Sequence, residues 1–228
     1  MKLIDLSTDF RDGMPKPPSA PKVEMTYHLK QSREQEEEKG YSNKLEQFVI
    51  TTHVGTHFDA PSHFTCGGKN IDQFPLELFY QVPTVVLDVE QPEYGCVTLE
   101  DIHRAEKKAG KVQKGDFVIL NTGFYRWYED DRYLKTAYVS TEAARYLVDA
   151  GISILGIDCF TVDDVREKQK PVHVLLLKEH EIPIVECVVN LNNLPNPRFR
   201  SVCLPLNIKD GSGAFTRLVG IFDEEDAI

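Results

Sequence analysis

The chain has 228 residues, 41% hydrophobic and 27% charged, with a formal net charge of −10. That length can bury a sizeable core within a single domain, and the composition is ordinary for a soluble globular protein. The acidic balance repels phosphate backbones and argues against a nucleic-acid partner. No apolar run approaches the roughly 20 residues of a membrane span, so no membrane partner is expected.

In chain order, residues 1–5 read as folded sequence with no leader pattern. Residues 30–43 are polar and carry Glu34, Glu36, Glu37 and Glu38. They suit a solvated loop or short exposed helix, or alternatively a flap over a site. Residues 45–52 read as a strand entering a histidine-rich motif. Residues 84–89 are rich in β-branched side chains and read as a buried strand. Residues 98–109 read as a helix with a Thr98/Asp101 capping box and a stop at Gly110. Residues 116–121 form another buried strand, and Phe124-Tyr125-Arg126-Trp127-Tyr128 follows as an aromatic cluster. That cluster is either ordinary packing or one wall of a pocket for an aromatic substrate. Residues 140–150 read as a helix closed by Gly151, residues 152–157 as a strand and residues 172–177 as a helical turn. Residues 182–186 are extended around Pro183. Residues 201–208 and 216–222 read as two last strands joined by a loop at residues 210–213. Strands interleaved with two good helices imply an α/β protein. Consecutive strands without helices between them favour a mixed sheet, or two packed sheets, over a doubly wound one.

The chemistry concentrates in His53-Val54-Gly55-Thr56-His57-Phe58-Asp59-Ala60-Pro61-Ser62-His63. Of seven histidines, at 28, 53, 57, 63, 103, 173 and 180, three fall within eleven residues beside Asp59. Imidazole and carboxylate are the usual donors to zinc, manganese and iron. A fully extended segment would hold His53 and His57 about 13 Å apart, at roughly 3.3 Å per residue. Gly55, β-branched Val54 and Thr56, and Pro61 weaken a helix, so a curled loop is expected. A second candidate group is His173 with Glu186, which converge if the chain turns back near Glu179-His180-Glu181. Glu186 lies in the apolar run 182–189, and a buried carboxylate needs a partner. His28, His103 and His180 read as surface or capping residues. Five cysteines without a Cys-x-x-Cys pair read as free thiols, which points to a cytoplasmic location. Cys66, three residues after His63, is expected to be structural, at the edge of the site.

The pattern His53-x-Gly55-Thr56-His57-x-Asp59-x-Pro61-x-His63 resembles the signature of the putative cyclase family, which includes bacterial kynurenine formamidases and isatin hydrolases. Asp5-Leu6-Ser7, Pro75-Leu76, residues 116–123, Gly156-Ile157-Asp158 with Val162-Asp163, and the tail from Leu204-Pro205-Leu206 to Gly213 extend the likeness along nearly the whole chain. The resemblance implies a swivelling β/β/α fold of mixed sheets with flanking helices, forming one domain over residues 1–228. It implies two divalent metal ions. His53, His57 and Asp59 would bind the first. Asp59 would bridge to a second, held also by His173 and Glu186. His63 would be the catalytic histidine. The donor set suits zinc or manganese. The expected activity is hydrolysis of a small amide by metal-activated hydroxide, with N-formylkynurenine favoured. A cyclic amide or lactone is the alternative substrate, and metal binding without turnover a third reading. Isatin hydrolases tend to carry Gln at the position of Glu186, which leans the chain toward the formamidases. The expected partners are a small-molecule substrate and further copies of the chain, in a homodimer or larger oligomer.

Overall fold

The computed structural model describes residues 1–222. The strands are β1 (Lys2–Asp5), β2 (Glu24–Leu29), β3 (Leu45–Val49), β4 (His57–Asp59), β5 (Tyr80–Asp88), β6 (Cys96–Val97), β7 (Phe117–Asn121), β8 (Tyr138–Val139), β9 (Ile154–Ile157), β10 (Ile184–Glu186), β11 (Arg198–Val202), β12 (Gly213–Phe215) and β13 (Val219–Phe222). The helices are α1 (Arg33–Lys39), α2 (Leu99–Ala109), α3 (Thr141–Asp149) and α4 (Pro171–His173), the last running into a π-helical turn at Val174–Glu179.

Nine strands form one mixed sheet in the order β1-β13-β11-β5-β7-β9-β10-β4-β12. The middle four, β5, β7, β9 and β10, are parallel, and the strands on both flanks run antiparallel. The parallel centre explains the apolar runs, because a sheet covered on both faces needs apolar side chains at successive positions. Along β5 and β7, Val85, Leu87, Val118 and Leu120 face a core shared with Ile102 and Ala105 of α2 and Ala143 and Leu147 of α3. The alternate residues Val86, Phe117 and Ile119 join a second core with Phe58, Phe199, Ala214 and Phe222 from the flanks, so the curled sheet covers its own far face. The α/β single-domain expectation holds.

Local chemistry sets the helix ends. Thr98 N donates to Asp101 Oδ2 at 2.9 Å and Asp101 N to Thr98 Oγ1 at 3.3 Å, closing the capping box of α2. Ser140 Oγ accepts from Ala143 N at 3.1 Å to begin α3. No helix among the described residues is long and apolar enough to cross a membrane.

Several expectations need correction. Residues 53–63 are a curled loop only in part: after a tight bend, His57–Asp59 is a strand, and Pro61–His63 a 3₁₀ turn. The anticipated strand 201–208 lies instead at Arg198–Val202. Beyond it, Pro205, which has no N–H to donate, makes only an isolated bridge to Thr216. The anticipated strand 216–222 shortens to Val219–Phe222, and a separate strand, Gly213–Phe215, precedes it at the other end of the sheet. Gly213–Phe215 pairs with β4, and Val219–Phe222 pairs with β1 and β11. Gly213 is therefore a strand residue, not a loop residue. The helical turn at 172–177 extends over Pro171–Glu179. Strands β1 and β2 were not anticipated.

Residues 30–43 contain α1, a short exposed helix with no buried residue, between the hairpin strands β2 and β3. All five cysteines are free, with Cys159, Cys187 and Cys203 buried and Cys66 exposed.

Candidate metal centre

Gly55 makes the bend that brings His53 and His57 together. Its φ is +64°, and a Cβ there would meet Thr8 Oγ1 at 2.8 Å and Met14 Cε at 2.9 Å. Thr8 and Thr56 exchange hydrogen bonds, each backbone N–H donating to the other's Oγ1 at 2.8 Å, so the amino-terminal segment clamps the bend. As a result the His53 and His57 ring centroids lie 5.3 Å apart, edge to face.

Antiparallel pairing of β4 with β10 sets Glu186 opposite His57. The helical turn from Pro171 adds His173. Asp59 is the hub. Its Oδ1 lies 2.7 Å from His53 Nδ1 and 3.2 Å from His57 Nε2, while its Oδ2 faces His173 Nε2 at 3.7 Å. Glu186 Oε1 is 3.4 Å from His173 Nε2, and Glu186 Oε2 is 3.6 Å from His57 Nε2. Two overlapping donor groups result, His53–His57–Asp59 and Asp59–His173–Glu186, each with its donor atoms within 4.8 Å of one another. The five residues named from the sequence thus converge, with one oxygen of Asp59 turned toward each group.

Three observations fit this cluster to divalent cations. First, the far ring nitrogens are committed. His57 Nδ1 donates to the Gly55 carbonyl at 2.7 Å and His173 Nδ1 to Asp163 Oδ2 at 2.6 Å, leaving both Nε2 atoms to face the cluster. Such outer partners typically fix metal-binding imidazoles. Second, Glu186 Oε1 is buried without a hydrogen bond. Third, the buried carboxylates of Asp59, Glu186 and Asp163 have only imidazoles as ion-pair partners among the described residues. Burial opposes ionisation of Asp59, yet His57, His173 and His53 outweigh it and hold its carboxyl well below the usual range. Burial and the charge of Asp59 push Glu186 up. Burial opposes protonation of His57 and His173, and the surrounding carboxylates reverse this and raise both well above the ordinary value. The cluster attracts positive charge, which a dication would supply.

His63 belongs to neither donor group. Its ring stacks on that of His53 at 3.8 Å between centroids, at the mouth of the cleft. Partial burial, reinforced by the neighbouring imidazoles and opposed by Asp59, pushes His63 down to about 4. A neutral ring there can accept a proton.

The sequence reading missed the supports. Asp163 accepts from the backbone N–H groups of Val172 and His173 as well as from the His173 ring. Ser212 Oγ sits 3.1 Å from His53 Nε2. A Cβ on Gly213 would meet His53 Cε1 at 2.5 Å, so only glycine leaves that ring its place. Phe64 stacks on His173 with centroids 4.5 Å apart. Ser212 lies 159 residues from His53 and Asp163 ten from His173, and adjacency in the family-like blocks was their one signal.

A cleft of about 570 Å³ opens above the cluster, walled by Pro17, Pro18, Phe64, Leu134, Phe160 and Val165. Neither residues 30–43 nor residues 124–128 line it, so neither the flap nor the aromatic-wall reading finds support. Phe124 and Tyr128 are buried in the core, and the Arg132 guanidinium lies 3.3 Å from the centre of the Trp127 ring. Cys66 does not line the cleft either.

Comparison with known proteins finds relatives along nearly the whole chain. The chain is 28% identical over 219 residues to the kynurenine formamidase of Salinibacter ruber, covering 96% of this chain and 97% of that one. Among solved structures, isatin hydrolase A from Ralstonia solanacearum superposes with a TM-score of 0.82 at 22% identity, over 97% of this chain and 92% of that one. A predicted metal-dependent hydrolase from Bacillus stearothermophilus gives 0.75 at 26% identity, over 96% and 97%. The family model described as "Putative cyclase" matches residues 4–164, a span that holds His53, His57, Asp59 and His63 and stops short of His173 and Glu186. On that match, over most of its length, the chain belongs to this cyclase family.

Proposed function

We propose that the protein is a metal-dependent hydrolase of a small amide, with N-formylkynurenine or a closely related aryl formamide as substrate. The observation that carries this reading is the pair of donor groups sharing Asp59, with a non-ligand imidazole, His63, beside them at the mouth of a cleft. His53, His57 and Asp59 would hold one divalent ion and Asp59, His173 and Glu186 a second, zinc or manganese by donor type. Bound there, such ions supply Lewis acidity, lowering the pKa of water and polarising a carbonyl.

The protein's own groups do the rest. The Gly55 carbonyl and Asp163 hold the His57 and His173 rings in the tautomer that turns Nε2 inward. His63 takes a proton from the attacking water and returns it to the departing nitrogen, a general acid–base role. Phe64, Phe160, Leu134 and the proline-rich segment at Pro17 and Pro18 enclose the apolar part of the substrate and exclude bulk water. The 28% identity to a kynurenine formamidase over nearly the full length supports the amide reading over a lactone or cyclic amide. An open cleft above the cluster supports turnover over static metal storage.

The test is hydrolysis of N-formylkynurenine, isatin and a simple lactone by metal-loaded protein, with chelated protein as the blank. Chelator-sensitive turnover of N-formylkynurenine alone is the expected result. Preference for isatin or the lactone would move the protein to ring opening. No turnover of any of the three by metal-loaded protein would remove the proposal.

We also propose a homodimer or larger assembly. Tyr27, Leu29, Leu45, Phe48 and Val49 expose apolar surface along β2 and β3, more than a monomer gains from showing. Sedimentation as a monomer at micromolar concentration would refute it.

A further inference from the structure

The geometry points to Lys170 as the residue that recognises a carboxylate on the substrate, so that the site takes an amide with an apolar body and an anionic group remote from the scissile bond. This rests on the hydrolase reading above and specifies its substrate.

Among the described residues lining the cleft, Lys170 is the single lysine or arginine. It is half-buried and stands three residues before His173, at the start of the helical turn that carries that side chain. Its Nζ donates to the backbone carbonyls of Asp164 at 3.0 Å and Glu167 at 3.1 Å. An ammonium has three protons, so one remains, and the Asp164 carboxylate that acts on it through space is itself paired with Arg166. The nearby acids are engaged elsewhere. Asp163 accepts from His173 and the backbone N–H of Val172, and the Asp164 carboxylate pairs with Arg166 at 2.6 Å. No carboxylate of the described residues lies within 4.0 Å of Lys170 Nζ. A held cation with a free proton beside apolar walls favours a ligand with an apolar body and a carboxylate end. The other charged groups of the cleft, Asp59 and Glu186, belong to the metal cluster.

The test compares an acid with its neutral twin. Metal-loaded full-length protein, as wild type, Lys170→Met and Lys170→Arg, is titrated calorimetrically with 4-phenylbutyrate and with 4-phenylbutyramide. Wild type should bind the acid more tightly by about tenfold or more, the size of a charge-assisted hydrogen bond. Lys170→Met should abolish that preference and Lys170→Arg should keep it. Equal binding of acid and amide by wild type would overturn the inference. So would a preference surviving in Lys170→Met, because the carboxylate would then be held by the metals. A Lys170→Met protein with a lower melting temperature and an unchanged preference would reduce Lys170 to a clamp on residues 164–167, and also overturn it. Turnover is measured in parallel on N-formylkynurenine and on formanilide, which lacks the carboxylate. Lys170→Met should raise KM for the first about tenfold more than it raises KM for the second. Failure of wild type to hydrolyse either, with the acid preference intact, would sink the formamidase reading and leave the assignment of Lys170 standing.

Discussion

The exposed arm of β2, α1 and β3 and the buried pair β4–β10 both carry many ionisable groups, and the two use them oppositely. Helix α1 has no buried residue; Ser32 caps one end and Gly40 the other. Its glutamates need only water. In the β4–β10 region, Asp59, Glu186, His57 and His173 are 1%, 4%, 1% and 5% exposed. Charges withdrawn from water are costly unless paired, and a half-paired group is worse than none. A run of glutamates in the open therefore says little about function. Two carboxylates buried among imidazoles, with no lysine or arginine of the described residues partnered to them, mark a place built for a cation. The cores follow the same logic at lower stakes: Val85 and Leu87 face one core and Val86 the other, and neither face needs a polar partner.

The sharpest way to break this contrast is Asp59→Ala. Removing the residue shared by both donor groups should cost bound metal and reduce turnover to that of chelated protein. Elemental analysis finding full occupancy in the variant would refute the bridging role. Next is His63→Gln, expected to lower kcat by roughly 10²–10⁴-fold with metal retained. Near-normal turnover would remove His63 from proton transfer. Asp163→Asn should act through His173, weakening metal affinity about 10–100-fold, with activity recovered at higher metal concentration. If added metal restores nothing while the fold is intact, Asp163 has some other role. On the arm, Glu36→Ala with Glu37→Ala should shift stability by no more than about 0.5 kcal/mol and leave KM unchanged. A changed KM would bring the arm back as a flap. Trp127→Ala should likewise leave KM for every good substrate at the wild-type value because the ring lies outside the cleft; thermal unfolding would report the loss of its packing and of its Arg132 contact.

Legibility followed sequence distance. The group from His53 to His63 could be read because three of seven histidines share eleven residues with an aspartate. Helices α2 and α3 could be read because their caps, Thr98 with Asp101 and Ser140, are local hydrogen-bonding devices. Strand β4 was hidden because a three-residue strand between a glycine bend and a proline shows no periodicity. The division of residues 213–222 into β12 and β13 was hidden for a different reason. Which end of the sheet a strand joins depends on partners elsewhere in the chain, here β4 for one and β1 and β11 for the other.

By itself the sequence determined the donor types, the local bend at Gly55 and the apolar strands and capped helices of an α/β chain. All of these depend on residues within a few positions of one another. Tertiary structure alone decided that Glu186 meets His57 across a strand pair, that Asp163 orients His173, that Gly213 makes room for the His53 ring and that Lys170 lines the cleft. The placements of Glu186 and Gly213 depend on strand order and register. Those are set by burying two apolar faces of one curled sheet, a property of the whole chain that no short segment contains.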